Sequence, residues 1–358
     1  MHMQAITTEF FQKTDSKRNP GIDILRILAM FLVCALHCDE YGLWACIDKN
    51  ALNQSIHAVW HNFTYMGVNL FMLITGYCCI CTNWRLSRYI SLYLQVAFYS
   101  LGYLILFLLI SQDTEPIWEV FLSKCLDLPF AGGYWYFTTY TGLFFLIPFL
   151  NRLIHSLDTK QFKYFTAAAI FVCSILNTGS HSIISQDGGN LIWMIVCYIL
   201  GAFIRTTYIP GKAINWFILF FVTLLVSTIL NYFFPILRRD YTSLIFISSC
   251  LCIFVAFTRI RIRNQTIQRL IAWAAPMSFG VYLFHNHPLV WATSSRAILG
   301  LSYAVDFSWP CWLIAPAIIY TLGTGADWVR AALFKRAKIN QLSDIIANAV
   351  ETAAKRVL

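Results

Sequence analysis

The sequence predicts an all-α integral membrane protein: about ten transmembrane helices, both termini cytoplasmic, and one re-entrant or interfacial segment. Three observations lead there. First, 58% of the 358 residues are hydrophobic and only 12% are charged, and the mean hydropathy is +0.62. A soluble domain keeps roughly a quarter of its residues charged. Second, apolar runs recur along the whole chain, near 22–39, 60–82, 89–111, 134–151, 164–177, 191–209, 214–235, 243–258, 271–295 and 309–330. Most approach the roughly 20 residues that a helix needs to cross a bilayer; 164–177 and 243–258 are short. Third, the net charge of +9 is distributed unevenly. With both termini inside, 20 of the 26 basic residues fall in inner stretches and five outside (Lys49, Lys124, Arg238, Arg239, Arg296), and Arg26 lies within a run. This is the asymmetry of the positive-inside rule, and it supports an even number of spans. The basic balance is therefore topogenic and implies no nucleic-acid partner, although it also suits anionic lipid or a phosphate-bearing substrate.

The elements follow in order. Residues 1–20 form a polar cytoplasmic tail that ends at Pro20-Gly21. The first run follows a basic tail and has no small-residue cleavage site after it, so it reads as a retained signal anchor. Residues 40–59 read as a polar outer loop. Residues 112–133 alternate acidic and apolar side chains and end Leu-Pro-Phe-Ala-Gly-Gly133, the re-entrant or interfacial segment. Such backbone survives at membrane depth only under cover of protein or a water-filled cavity. Residues 21–330 form one membrane domain, and 331–358 an amphipathic cytoplasmic tail. Most of the 12 cysteines lie within apolar runs, where they act as small buried hydrophobes. None stands in ligand-spaced clusters with histidine, so no metal is expected.

The most informative feature lies in the first run. Arg26 and His37 are eleven residues apart, about three helical turns, which puts both on one helix face roughly 16 Å apart along the axis. A spanning helix normally excludes ionisable groups, and those it keeps mark function. Each also has a plain reading. Arg26 lies near the inner end, where it can snorkel or pair with Asp23, and His37 lies near the outer interface. Their shared face and the long apolar spacer favour a site.

The surrounding text carries a resemblance. Arg26 and His37 form an R-x10-H pattern within Gly21-Ile-Asp-Ile-Leu-Arg-Ile-Leu-Ala29. Val68-Asn-Leu-Phe-Met-Leu-Ile-Thr-Gly-Tyr77, Arg85-Leu-Ser-Arg88, Tyr134-Trp-Tyr-Phe137 with Gly142-Leu-Phe-Phe-Leu-Ile-Pro148, Tyr198-Ile-Leu-Gly201 and Ser278-Phe-Gly-Val-Tyr-Leu-Phe-His285 follow in order. Together they resemble the membrane-bound acyltransferase family 3 over residues 18–330, with Thr75 where serine is usual. The resemblance implies an enzyme of a bacterial inner membrane. It implies transfer of an acyl group, most often acetyl from acetyl-CoA, to a hydroxyl of a cell-surface carbohydrate or lipid-linked glycan. The serine-hydrolase-like outer domain of some relatives is absent from this sequence.

The residue types suit that chemistry. A sugar hydroxyl is a weak nucleophile at neutral pH, and a positioned base can take its proton during attack. Histidine is the side chain whose ordinary pKa fits the task, so His37 is the candidate base; Glu40, one turn on, is a candidate to orient it. The polyanionic CoA stays at the cytoplasmic mouth, where arginine forks match phosphate; Arg26, Arg85 and Arg88 all map to that end. His285 is a candidate to position the acceptor or His37. Trp135, Tyr136 and Tyr282 are candidates to stack on sugar rings, although interfacial aromatic belts explain such residues equally well. His287 has a structural reading before Pro288, and His61 and His155 gain nothing beyond their residue type. The rival reading from another class is a secondary transporter or flippase, with Arg26 and His37 as an ion or proton path. The paired interrupted helices and repeats common in transporters are not evident in the sequence.

Overall fold

The computed structural model describes residues 18–44, 50–110, 134–177, 189–233, 241–287, 290 and 310–357. Among these residues the chain is all helix, with no strand. The expected re-entrant segment at 112–133 and nearly all of the N-terminal tail lie outside them. Four helices are long and apolar enough to cross a membrane: α1 (Pro20–Cys38), α4 (Leu86–Ile110) over Leu86–Leu106, α5 (Trp135–Ser156) and α8 (Ala213–Phe233). Two shorter apolar helices are α7 (Leu191–Thr206) and α9 (Leu244–Thr258). The chain is a membrane protein. In α8 most of the apolar side chains are exposed, Ile218, Phe221, Leu225 and Ile229 among them. A helix that is apolar all round needs lipid or protein on every side.

The contacts divide the chain into two compact units. The first comprises residues 1–33, 49–84 and 145–275. It contains the start of α1, where Asn19 acts as cap: its side chain accepts the Gly21 amide at 2.9 Å, and Pro20 needs no such partner. It also holds α2 (Ala51–Thr64) and α3 (Met66–Cys79). The sequence reading made 40–59 a loop and 60–82 one span, and the structure corrects both. Asn50 caps α2 by accepting the Asn53 amide at 2.9 Å. The side chains of Ile56, Val59, Trp60 and Phe63 then form a helical apolar stripe. The ladder breaks at Tyr65, whose ring stacks on Tyr241 at 4.1 Å. α6 (Thr159–Ile170) starts at a full capping box between Asp158 and Gln161 and continues into a π-turn.

Helices α3 and α7 form the tightest pair of this unit. A Cβ on Gly76 would run into the Tyr198 carbonyl, and one on Gly201 into the Leu73 carbonyl. Two of the sequence motifs, Val68–Tyr77 and Tyr198–Gly201, are thus the two sides of one backbone-to-backbone crossing. Beside it the fully buried Asn69 accepts from Trp193 Nε1 and donates to the Tyr241 carbonyl, both at 2.9 Å. Gly76→Ala is expected to cost about 1–3 kcal/mol, the range for overpacking a tight site, read as a lowered thermal midpoint in detergent. An unchanged midpoint would show that the crossing can open at no cost.

The second unit comprises residues 34–48, 85–144 and 276–358. It holds the last turn of α1, all of α4, the start of α5 and two further helices, α11 (Ser278–His285) and α12 (Cys311–Arg336). The chain ends in α13 (Ile339–Val357), which packs on α4. The run read as one span over 271–295 is interrupted. α10 (Gln265–Ala274) passes into a 3-10 turn at Ala275–Met277, because Pro276 has no amide to continue the ladder. α11 then stops after His285, where Asn286 leaves the helical region.

Candidate active site

α1 is a single helix that carries both Arg26 and His37. In the second unit its last turn brings His37 against the end of α11. His37 Nδ1 lies 2.9 Å from His285 Nε2, and both rings are buried. The other nitrogen of His285, Nδ1, lies 2.6 Å from the Val281 carbonyl. A carbonyl only accepts, so Nδ1 of His285 carries the proton and Nε2 presents a lone pair. His37 Nδ1 therefore donates to it. That leaves Nε2 of His37 as the unprotonated, basic nitrogen. The chain of partners sets the tautomer of the candidate base. It also limits the pair to one extra proton at a time, since two facing N–H groups would break the bond.

The end of α11 is held from several sides. The last four carbonyls of a helix lack partners inside it. Here the Tyr134 hydroxyl donates to the Leu283 carbonyl at 2.9 Å, and the Tyr103 hydroxyl donates to the Phe284 carbonyl. Tyr103 also stacks on His287, with ring centroids 4.6 Å apart. His287 thus packs behind the end of α11.

Below this, α11 crosses α12 through Gly280. A Cβ there would overlap the Asp327 carboxylate, so only glycine lets the two helices approach. Asp327 is fully buried. Its Oδ1 accepts from Gln95 Nε2 at 3.0 Å, the Tyr99 hydroxyl at 3.1 Å and Arg330 Nε at 2.9 Å. Its Oδ2 accepts from Arg330 Nη2 at 2.8 Å. One carboxylate thus bonds α4 to α12 and packs on α11 at Gly280, five residues before His285. The sequence reading had counted Arg330 only as topogenic charge and had passed over Asp327. The i,i+3 spacing of Asp327 and Arg330 inside an apolar run was the available signal.

The other candidate residues fall as follows. Tyr282 is buried, with its ring centroid 6.4 Å from His285 and 6.1 Å from Tyr136. Tyr136 in turn packs edge-on against Trp135 at 5.7 Å, and both are half-buried. Trp135, Tyr136, Tyr282, His285 and His37 thus form a run of neighbours within one unit. Arg85 precedes α4 and Arg88 sits in its first turn; both are exposed. Arg26 belongs to the first unit, where it pairs with Asp23 at 3.7 Å and donates to the Cys78 sulfur at 3.8 Å. Glu40 lies exposed on the π-turn that follows α1.

No curated protein and no solved structure matches this chain. A family model described as an acyltransferase domain matches residues 19–325, most of the chain. That range takes in both imidazoles and every motif whose packing is described above, and the chain belongs to the acyltransferase 3 family.

Proposed function

We propose that this membrane acyltransferase moves an acyl group, acetyl in the simplest case, from acyl-CoA to a hydroxyl of a cell-surface carbohydrate or lipid-linked glycan. In this reading it works in a bacterial inner membrane, with ten spans and both termini in the cytoplasm. The observation that carries the proposal is the His37–His285 pair, whose hydrogen bonds set the tautomer and make Nε2 of His37 the basic nitrogen.

The chemistry runs through that nitrogen. His37 Nε2 takes the proton of the acceptor hydroxyl as its oxygen attacks the thioester carbonyl. Collapse of the tetrahedral intermediate breaks the carbon–sulfur bond, and the imidazolium returns its proton to the CoA thiolate. While His37 is charged, its Nδ1–H stays directed at the lone pair of His285, which spreads the charge over two rings. The aromatic run Trp135, Tyr136 and Tyr282 lies on the His285 side and suits a sugar acceptor. Arg26, Arg85 and Arg88 are the candidate partners of the donor's phosphates. The transporter reading of Arg26 and His37 gains nothing from the family, which is one of acyltransferases.

The test uses purified protein in detergent with acetyl-CoA, read as release of free thiol. It is paired with mass spectrometry of surface glycans from cells with and without the chain. Thiol release that requires a glycan acceptor, together with one acyl mass missing from a glycan of the deficient cells, is the expected result. Identical glycans in both cells would remove the proposed acceptor class, and no thiol release with any acceptor would remove the donor.

A further inference from the structure

The first unit also carries an apolar groove. A cavity of about 800 Å³ lies among α1, α2, α8 and α9, with Leu28 of α1, Ile56, Val59 and Trp60 of α2, Phe221 of α8 and Ile253 of α9 in its lining. No charged side chain lines it, and only Ser55 and Trp60 bring a polar side-chain atom. The Ser55 hydroxyl is turned back onto the Ala51 carbonyl of its own helix, at 2.8 Å. We propose that this groove binds one hydrocarbon chain of a membrane phospholipid, and that the chain packs α2 onto the rest of the unit. The inference does not use the imidazole pair and stands apart from acyl transfer, since neither His37 nor His285 lines the groove.

Helix α2 is short of cover. Its only buried residues are Asn62 and Thr64, both polar. Asn62 ties it to α8 by donating to the Thr228 hydroxyl at 2.9 Å. Its apolar stripe is left open: Ile56 and Val59 are exposed, and Trp60 and Phe63 only half-buried. Most of the stability of a protein helix comes from packing its apolar face, and here part of that face meets empty space. Such a cavity offers water nothing to bond and stays dry, and while unfilled it forfeits the dispersion contacts of its lining. The surroundings supply the filler. α8 is one of the helices long and apolar enough to cross a membrane, and its Phe221 and Leu225 are exposed. Phe221 also lines the groove, so the groove is continuous with the lipid-facing surface of α8. Phospholipid is the solvent on that surface, and at such an excess even a modest affinity fills the groove by mass action. The plain alternative is ordinary annular lipid, which touches any convex apolar surface and exchanges freely. A groove built from four helices surrounds a chain on several sides instead, and each enclosed methylene adds to the affinity. The volume lies within the roughly 300–1,000 Å³ of ligand pockets.

The test takes the full-length protein in mild detergent, adds phosphatidylethanolamine and phosphatidylglycerol as probes, and counts retained lipid by native mass spectrometry. The thermal midpoint with and without added lipid is the second readout. Val59→Trp and Ser55→Trp fill the groove from exposed positions, so that one remains if the other fails to fold. Leu225→Trp puts the same bulk on the exposed face of α8 outside the lining. The parent chain and Leu225→Trp are expected to keep one phospholipid through detergent washing, and added lipid should raise their midpoints. In the groove variants retention should fall about tenfold or more, the worth of about two displaced methylenes, and the midpoint should no longer respond to lipid. Equal retention in all the chains means annular lipid and overturns the proposal. So does the absence of retained lipid, an isoprenoid retained in place of phospholipid, or a dimer that the groove variants split. His37→Gln is expected to retain lipid as the parent chain does. The groove therefore survives if acyl transfer fails its own test, and the reverse also holds.

Discussion

Replacing His37 with glutamine is expected to lower acyl transfer by about 10²- to 10⁴-fold, the usual contribution of a general base, with the fold intact. Glutamine keeps a polar group of similar length but has no basic nitrogen. Its amide can still meet Nε2 of His285, so the buried lone pair is not left bare. The loss should fall on kcat with KM little changed, because the proton moves only in the transition state. The partner residue separates catalysis from packing. In His285→Leu, Nδ1–H of His37 loses its acceptor and the tautomer is no longer set, so kcat should fall nearly as far. In His285→Gln the side-chain carbonyl can still accept from His37, and kcat should recover in part. Steady-state rates of thiol release for the three variants, beside their thermal midpoints, decide the matter. If His37→Gln keeps its kcat within a few-fold of the parent value, the base lies elsewhere.

The sequence disclosed His37 because an imidazole in a spanning run is costly and so stands out. It also offered His285 as a partner, through the ordered motif around it. What could not be read was the distance between them. The two residues are 248 positions apart in the chain, and no periodicity carries information across such a separation. The same limit hid Tyr103 and Tyr134. Each reads as one more membrane aromatic until its hydroxyl is seen on a carbonyl at the end of α11. Helix interruptions were partly legible. Pro276 announced the break before α11, yet the high hydropathy around it invited a single span. At Tyr65 no proline or glycine marks the break; the residue there carries a ring that stacks on Tyr241, a partner far away in the chain. The α2 helix was missed because its amphipathic stripe is interleaved with polar residues, and composition alone gave a loop.

The motifs also acquire physical reasons that spacing did not supply. Gly76 and Gly201 come from separate motifs and serve one crossing in the first unit. Gly280 and His285 belong to one motif and do two jobs in the second. The glycine sets how closely α11 approaches α12, and the histidine uses the position that results. A short helix of eight residues has little stability of its own. It keeps His285 in place only because hydroxyls satisfy its last carbonyls and α12 holds its other face.

That dependence makes Asp327 the position of largest structural effect. Asp327→Ala removes the acceptor of four hydrogen bonds from Gln95, Tyr99 and Arg330. It leaves the Arg330 guanidinium, whose side chain is 14% exposed, without its carboxylate. Breaking such a buried pair from one side costs about 3–5 kcal/mol. The thermal midpoint in detergent should therefore fall sharply, and acyl transfer with it, since α11 carries His285. Asp327→Asn keeps the shape and an acceptor and should lose less. Gly280→Ala attacks the same contact from the other helix, by driving a methyl group into the carboxylate. The two lesions share one volume, so they should not add. In the double variant Gly280→Ala with Asp327→Ala, the smaller side chain at 327 makes room for the new methyl group. The pair should then be clearly less destabilised than the sum of the single changes, with a coupling within the roughly 0.5–3 kcal/mol found for contacting residues. Additive losses in that cycle would mean that Gly280 is needed for something other than the approach of Asp327, and the account of how α11 is held would have to be rebuilt around its tyrosine-capped end alone.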